Sequence, residues 1–284
     1  MSMRTIVFYI SLLAACLICG AKEIVIRPQY TVGDTLRYRS TTQMAMRHGN
    51  DSIVSLTTLL PEIIIEEKND EGFVIKTSNR LEDYSIECSD SAAIGQIPSP
   101  TETLNDFVAT VALNIQLDAD CRPDSILNMA EVREKMMGAH IRMIAKQQGD
   151  KDATQRAEWE TQTKPLIAAA VYMLYTRKHL IETQFSFIPY FNFTGIPLKS
   201  GVIPSSMVLA DELQRLCPEL KELRMEVAQS AEGCRIKVSG KKGDAAIEGE
   251  LWYAAGILNH GFLSLTNKID TGWISGDYTI EMIR

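Results

Sequence analysis

From Leu36 to Arg47 the chain alternates between two kinds of position. Leu36, Tyr38, Ser40, Thr42, Met44 and Met46 fall on one side of an extended strand, and Arg37, Arg39, Thr41, Gln43 and Arg47 fall on the other. This period of two marks an antiparallel sheet with one wet face. His48-Gly49-Asn50-Asp51 is a turn signal. A second strand runs through Ile53, Val54, Leu56 and Leu59. Pro61, which has no N–H to give a ladder, is expected to break or bulge it before Ile63-Ile64-Ile65. Lys68 to Gly72 forms the next turn. Phe73 to Thr77 opens a third strand that reaches Cys88.

The pattern then changes. Residues 89–103 are rich in Ser, Pro, Gly and Thr and read as a loop. Val111 to Leu117 is another strand, Asp118 to Arg122 a tight turn, and Ser125 to Leu127 short and extended. Asn128 is placed to cap a helix whose first turn carries Glu131. Helix dominates to about Leu180. Gly149-Asp150 divides it, and Pro165 is expected to begin a new helix rather than interrupt one. Leu166 to Tyr175 is apolar nearly all round, which predicts a buried helix. Past Pro204, residues Ser206 to Leu216 fit a short helix. Strands follow at Leu223–Gln229, Cys234–Ser239, Ala246–Tyr253 and Phe262–Lys268, and a last one from Trp273 through Tyr278, Ile280 and Met282. Strands, then helices, then strands is an α+β order. The expected architecture is a curved, half-barrel-like antiparallel sheet built from the N- and C-terminal strands, with a central helical insertion packed on it.

The first residues carry an address. A short n-region with Arg4 precedes the apolar run Thr5–Ile18, and Cys19-Gly20-Ala21 puts small residues before Lys22. That is the layout of a secretory signal peptide cut after Ala21, and the run is shorter than the ~20 residues needed to span a bilayer. A second route is open, because Leu13-Ala14-Ala15-Cys16 matches a lipobox that would lipidate Cys16. Residues 1–21 are therefore assigned to a signal. Residues 22–284 form a single α+β domain, with β structure over 33–126, helices over 128–181 and a β-rich part over 182–284. The protein is expected to be exported to the periplasm or cell envelope, either soluble or lipid-anchored.

Charge narrows the partners. The chain has 29 Lys+Arg against 36 Asp+Glu, a net charge of −7, with no basic block. That is a poor match for nucleic acid, which needs a Lys/Arg footprint. Outside the signal lie four cysteines, Cys88, Cys121, Cys217 and Cys234. An even number in an oxidising compartment predicts two disulfides. Three connectivities are open, and proximity along the chain favours Cys88–Cys121 and Cys217–Cys234.

No reaction is written in the sequence. The histidines His48, His140, His179 and His260 share no metal-ligand spacing. There is no serine elbow and no glycine-rich phosphate loop. No cofactor and no metal are expected. Asp118, Asp120 and Asp124 form an acidic turn, but Arg122 sits inside it and the pattern of a calcium loop is absent. Glu62, Glu66 and Glu67 are the carboxylates that a hydrolase reading would use. The feature with a binding flavour is Phe185 to Phe193, with Phe185, Phe187, Tyr190, Phe191 and Phe193 within nine residues. Such rings can wall an apolar pocket, although burial in the core is the commoner fate of aromatics.

Three segments carry a family likeness. They are Tyr30 to Tyr38, with its Gly33-Asp34 turn before a Thr-rich strand; Leu113 to Cys121, leading into Ile126 and Asn128; and Ile247 to Tyr253, followed by Ile269 to Ile274 with Thr271-Gly272-Trp273. In these segments the chain resembles a family of exported Gram-negative envelope proteins of unknown function, often lipoproteins. Cys121 departs from the Asp-Gly turn usual there. The strand order is loosely similar to lipid-carrier folds with a curved sheet. The resemblance implies no catalytic residues. Together these readings point to a non-enzymatic envelope protein that binds an apolar small molecule or an envelope partner protein in the concavity of the sheet. The alternatives are a carboxylate-dependent hydrolase of envelope polymers and a structural subunit of a surface assembly.

Overall fold

The computed structural model describes residues 23–89, 111–148, 153–269 and 272–283. The signal, Cys16, most of the 89–103 loop and the Gly149-Asp150 divide lie outside these residues. The strands are β1 Ile24–Val25, β2 Thr35–His48, β3 Asp51–Leu59, β4 Glu62–Asn69, β5 Gly72–Ser78, β6 Leu81–Cys88, β7 Leu113–Leu117 and β8 Pro123–Ile126. Three helices follow, α1 Met129–Gln148, α2 Ala153–Leu174 and α3 Arg177–Gln184. Then come β9 Pro197–Leu198, β10 Gly201–Pro204, α4 Asp211–Leu216 and the strands β11 Glu222–Gln229, β12 Cys234–Lys242, β13 Ala245–Ala254, β14 Ile257–Ile269 and β15 Gly272–Ile283.

Thirteen strands form one antiparallel sheet in which the last strand, β15, pairs with β2. The two ends of the chain thus close on each other, as the strand–helix–strand order predicts. The break at Pro61 is a kink, not an end. The Ser40–Leu59 and Arg37–Glu62 pairs keep one register across it, and the Pro61 carbonyl accepts the Tyr38 N–H at 2.8 Å. Opposite it, Leu60 and Arg80 exchange backbone hydrogen bonds. So β3 with β4, and β5 with β6, are each one physical strand bent at the same level.

The alternation in β2 sets the two faces. Its Tyr38 side is the concave, dry one. Ile63, Ile65, Ile75, Leu113, Ile115 and Leu117 on that side are all 0% exposed. Each contributes roughly 1.5–3 kcal/mol by leaving water. The Arg39 side is wet and laced by cross-strand ion pairs, Arg39–Glu82 at 2.8 Å and Arg235–Glu250 at 2.6 Å. Helix α1 buries Val132, Met136 and Ala139, one helical face, in the same core.

Several local expectations are corrected. Asn128 precedes α1, but its side-chain oxygen accepts from the Asn114 N–H at 2.9 Å and its amide donates to the Ala112 carbonyl. It ties the helix to β7 instead of capping it. Pro165 lies inside α2 and begins no new helix. Leu166 to Tyr175 is buried on one face alone. Ile167 and Val171, four apart, point inward, while Leu166, Tyr172 and Met173 are exposed at 70%, 60% and 74%. The Ser206–Leu216 helix is two pieces, a 3-10 turn at Ser205–Met207 and α4.

Candidate functional site: the concave face

The aromatic segment enters the concavity through a tight reversal after α3. Ser186 and Phe187 both take left-handed backbone angles, φ 50° and 63°, which cost L-residues roughly 1–2 kcal/mol each. The burial they allow offsets this. Phe185, Tyr190, Phe191 and Phe193 are at most 5% exposed, and Phe187 is half-buried. The rings pack on one another: Phe185 stacks on Tyr190 with centroids 4.3 Å apart, and Phe191 meets Phe185 edge-on at 5.5 Å. Phe187 sits edge-on to Tyr278 of β15.

This arrangement corrects the pocket expectation. The cavity that Phe185, Phe187, Ile188, Tyr190 and Phe191 share is about 20 Å³, space for about one water and no more. The five aromatics are a plug in the sheet, not the wall of a ligand chamber. Polar bonds lock the plug in place. Tyr38 donates to the Leu258 carbonyl at 3.0 Å and its oxygen meets the Tyr190 hydroxyl at 2.8 Å. Burial pushes the hydroxyls of Tyr38, Tyr190 and Tyr253 far above the usual tyrosine range, so they act as neutral donors at every physiological pH.

At the other end of the same face the cover thins. Strand pairing places Met44 and Met46 of β2, Ile53 of β3, Tyr84 and Ile86 of β6 and Ile274 of β15 on the concave side. Ile274 is buried, Met46 is 40% exposed, and Met44, Ile53, Tyr84 and Ile86 are half-buried. This apolar shelf was missed in the sequence because each of its residues also fits an ordinary strand.

The four cysteines are free thiols, and the two proximity pairings are not formed. Cys234 lies opposite Tyr253, which lies opposite Leu258. Cys217 follows Leu216, whose carbonyl accepts the Asn267 amide at 2.6 Å. From Leu258 to Asn267 along β14 is about 30 Å at the rise of a strand, far beyond the ~7 Å between Cα atoms that a bridge tolerates. Cys88 pairs with Ile53 at one end of the bent β5–β6 strand. Cys121 sits in the β7–β8 turn beside the other end, where Phe73 faces Leu117. Their nearness in sequence does not survive the length of the strands between them. Free thiols at all four positions, three of them buried, remove the cysteine argument for an oxidising compartment.

The other candidates fall into structural roles. Glu62 pairs with Arg37 at 2.9 Å, and Glu66 and Glu67 are exposed along β4. In the acidic turn the Asp118 carboxylate accepts the Asp120 and Arg122 N–H groups and pairs with the Arg122 side chain. Among the described residues no group of three His, Cys, Asp or Glu side chains can hold a metal. His260 stacks on Trp252 on the wet face. His140 and His179, unrelated in sequence, flank the ring of Tyr175 at 5.6 and 5.8 Å. His179 also meets Glu212 at 2.9 Å, and Lys178 pairs with Asp211. These contacts clasp α3 to α4. Burial raises the Glu182 carboxyl beside them against the pull of Lys178.

No family model and no curated protein matches the chain. A solved lipovitellin structure, concerned with lipid–protein interactions, is similar at a TM-score of 0.46 with 8% sequence identity; the match covers 90% of this chain and 26% of that one.

Proposed function

We propose that the protein is a non-enzymatic binding protein of the cell envelope that holds an apolar ligand, an acyl chain in the simplest case, on the open half of its concave face. The observation that carries this is the shelf around Met46. It continues the dry face of the sheet, its large side chains are apolar with Ser55 and Thr57 set between them, and the aromatic plug lies at the other end of that face. Partly exposed apolar side chains on an otherwise well-buried face support a place of binding. Methionines suit it, since their unbranched side chains adapt to ligands of varied shape.

The experiment is native mass spectrometry of the exported protein, followed by titration with a fluorescent fatty acid. A co-purified lipid mass and saturable probe binding are expected. Met46→Glu places a charge in the shelf and should weaken the probe at least about tenfold, the ratio that 1.4 kcal/mol represents. Absence of any lipid mass together with unsaturable probe signal overturns the reading. A stable second copy or partner protein in its place would mean that the shelf is a protein interface.

A further inference from the structure

The opposite, wet face carries a second feature that the apolar reading does not use. Near the hairpin tips, Trp273 of β15 lies directly between Arg47 of β2 and Lys268 of β14 in the strand register. Neighbouring strands are about 4.8 Å apart, so the two cations bracket the indole with their backbones about 10 Å from each other. Trp273 is 43% exposed. It opens into a groove of about 610 Å³ that Thr266 and Asp244 also line, a volume in the range of small-ligand sites.

The wet face mixes matched and unmatched cations; Lys241, across β13 from Thr266, also lacks an ion pair among the described residues. Arg37, Arg39 and Arg235 are each matched to a carboxylate, Glu62, Glu82 and Glu250. Among the described residues neither Arg47 nor Lys268 has an ion-pair partner, and the Arg47 Nε donates to the Gly49 carbonyl at 3.3 Å. The strands come together closely here. A Cβ on Gly272 would lie 1.8 Å from the Arg47 carbonyl oxygen, so glycine is what lets the Trp273 strand run tight against β2.

We propose that this row is a binding site for an acidic saccharide. A sugar ring stacks its C–H face on the indole. Acid groups on that ring or its neighbours reach Arg47 on one side and Lys268 on the other through charge-assisted hydrogen bonds. Thr266 and Asp244 are placed to bond ring hydroxyls. A nucleic acid is the less suitable polyanion, because two cations on a chain of net charge −7 do not make a phosphate-tracking footprint.

The test uses the full exported chain with tetragalacturonate as the probe, maltotetraose as a neutral counterpart and an oligothymidylate as a nucleic-acid counterpart. Binding is read by calorimetry and by indole emission. Tetragalacturonate should bind saturably and shift the emission, and maltotetraose should bind at least about tenfold more weakly. Arg47→Ala and Lys268→Ala should each weaken the acidic probe about tenfold, the loss of one charge-assisted contact. Trp273→Ala should abolish binding and Trp273→Phe should keep part of it. Arg235→Ala, at a matched arginine elsewhere on the face, should leave the affinity unchanged. Should Trp273→Ala fail to fold, the two cation variants on the solvated face decide the matter. The proposal is overturned by no binding of tetragalacturonate, by equal affinity for maltotetraose, by an oligothymidylate that binds as tightly, or by an Arg235→Ala loss equal to that of Lys268→Ala.

Discussion

The hydroxyls of Tyr38 and Tyr190 meet at 2.8 Å inside the protein. They join the strand that starts the large sheet to the aromatic segment that plugs it. The bond is directional. Tyr38 gives its proton to the Leu258 carbonyl, so Tyr190 is the donor to Tyr38. Removing the two hydroxyls is therefore not equivalent. Tyr190→Phe deletes the donation to Tyr38 and the contact with the Tyr30 hydroxyl, a net loss of about 1–2 kcal/mol. Tyr38→Phe strands both the Leu258 carbonyl and the Tyr190 hydroxyl in a buried place and should cost about 2–4 kcal/mol. Urea unfolding of the two variants measures the difference. Equal losses would mean that the pair does not order the plug in this way.

The thiols should report burial in sequence. Cys88 is half-buried on the open strand β6, whereas Cys121, Cys217 and Cys234 are at most 7% exposed, and burial raises the pKa of each of those three. Because the thiolate is the reacting form, a thiol reagent added to native protein without reductant should label Cys88 rapidly. The other three should react only on the timescale of unfolding. Peptide mapping that finds Cys88 protected, or any disulfide-linked pair, contradicts the structure.

Alkaline stability follows from the same burial. The thiol of Cys217, ordinarily near 9.0, is pushed up to about 11, first by burial and then by the Glu219 carboxylate. As pH rises the unfolded chain loses this proton first, so the folded state binds more protons across the interval. The thiol's contribution is therefore complete below pH 9 and is lost between about pH 9 and 11. Tyr175, pushed up to about 12 from 10.0 by burial, extends the fall. Denaturant midpoints from pH 8 to 12 should decline from about pH 9 upward. Cys217→Ala should flatten the first part of the decline, and an unchanged slope in that variant would remove Cys217 from the account.

What was legible in the sequence was whatever local pattern decides. The alternation Leu36–Met46 named the dry and wet faces of β2, and Pro61 marked the bend, because neither depends on distant partners. What was illegible depended on pairing. Arg47, Trp273 and Lys268 make a row only when β15 is set between β2 and β14, and no local signal fixes that register. The cysteine pairs failed for the complementary reason, since strands carry neighbours in sequence far apart. The apolar helix of Leu166–Tyr175 was misjudged because composition gives a helix's total apolarity, not which side meets a core. Rings at Phe185–Phe193 are the same rings whether they surround a cavity or fill one; only the packing of Phe185 on Tyr190 decides it.

Pro165 offers a final test, because the fold carries it at a cost. It lies within α2, and its ring removes the hydrogen bond that the residue would otherwise give to the carbonyl one turn earlier. An interior proline costs a helix about 3 kcal/mol relative to alanine. Its side chain is exposed, so replacing it forfeits no core packing. Pro165→Ala should therefore stabilise the protein, by about 1–3 kcal/mol once the stiffer unfolded chain of the proline form is allowed for. Thermal unfolding of the variant should show a higher midpoint and an unchanged far-ultraviolet spectrum. A lower midpoint would mean that α2 needs its proline, and that the local geometry at residue 165 places the exposed Leu166, Tyr172 and Met173 where α2 presents them.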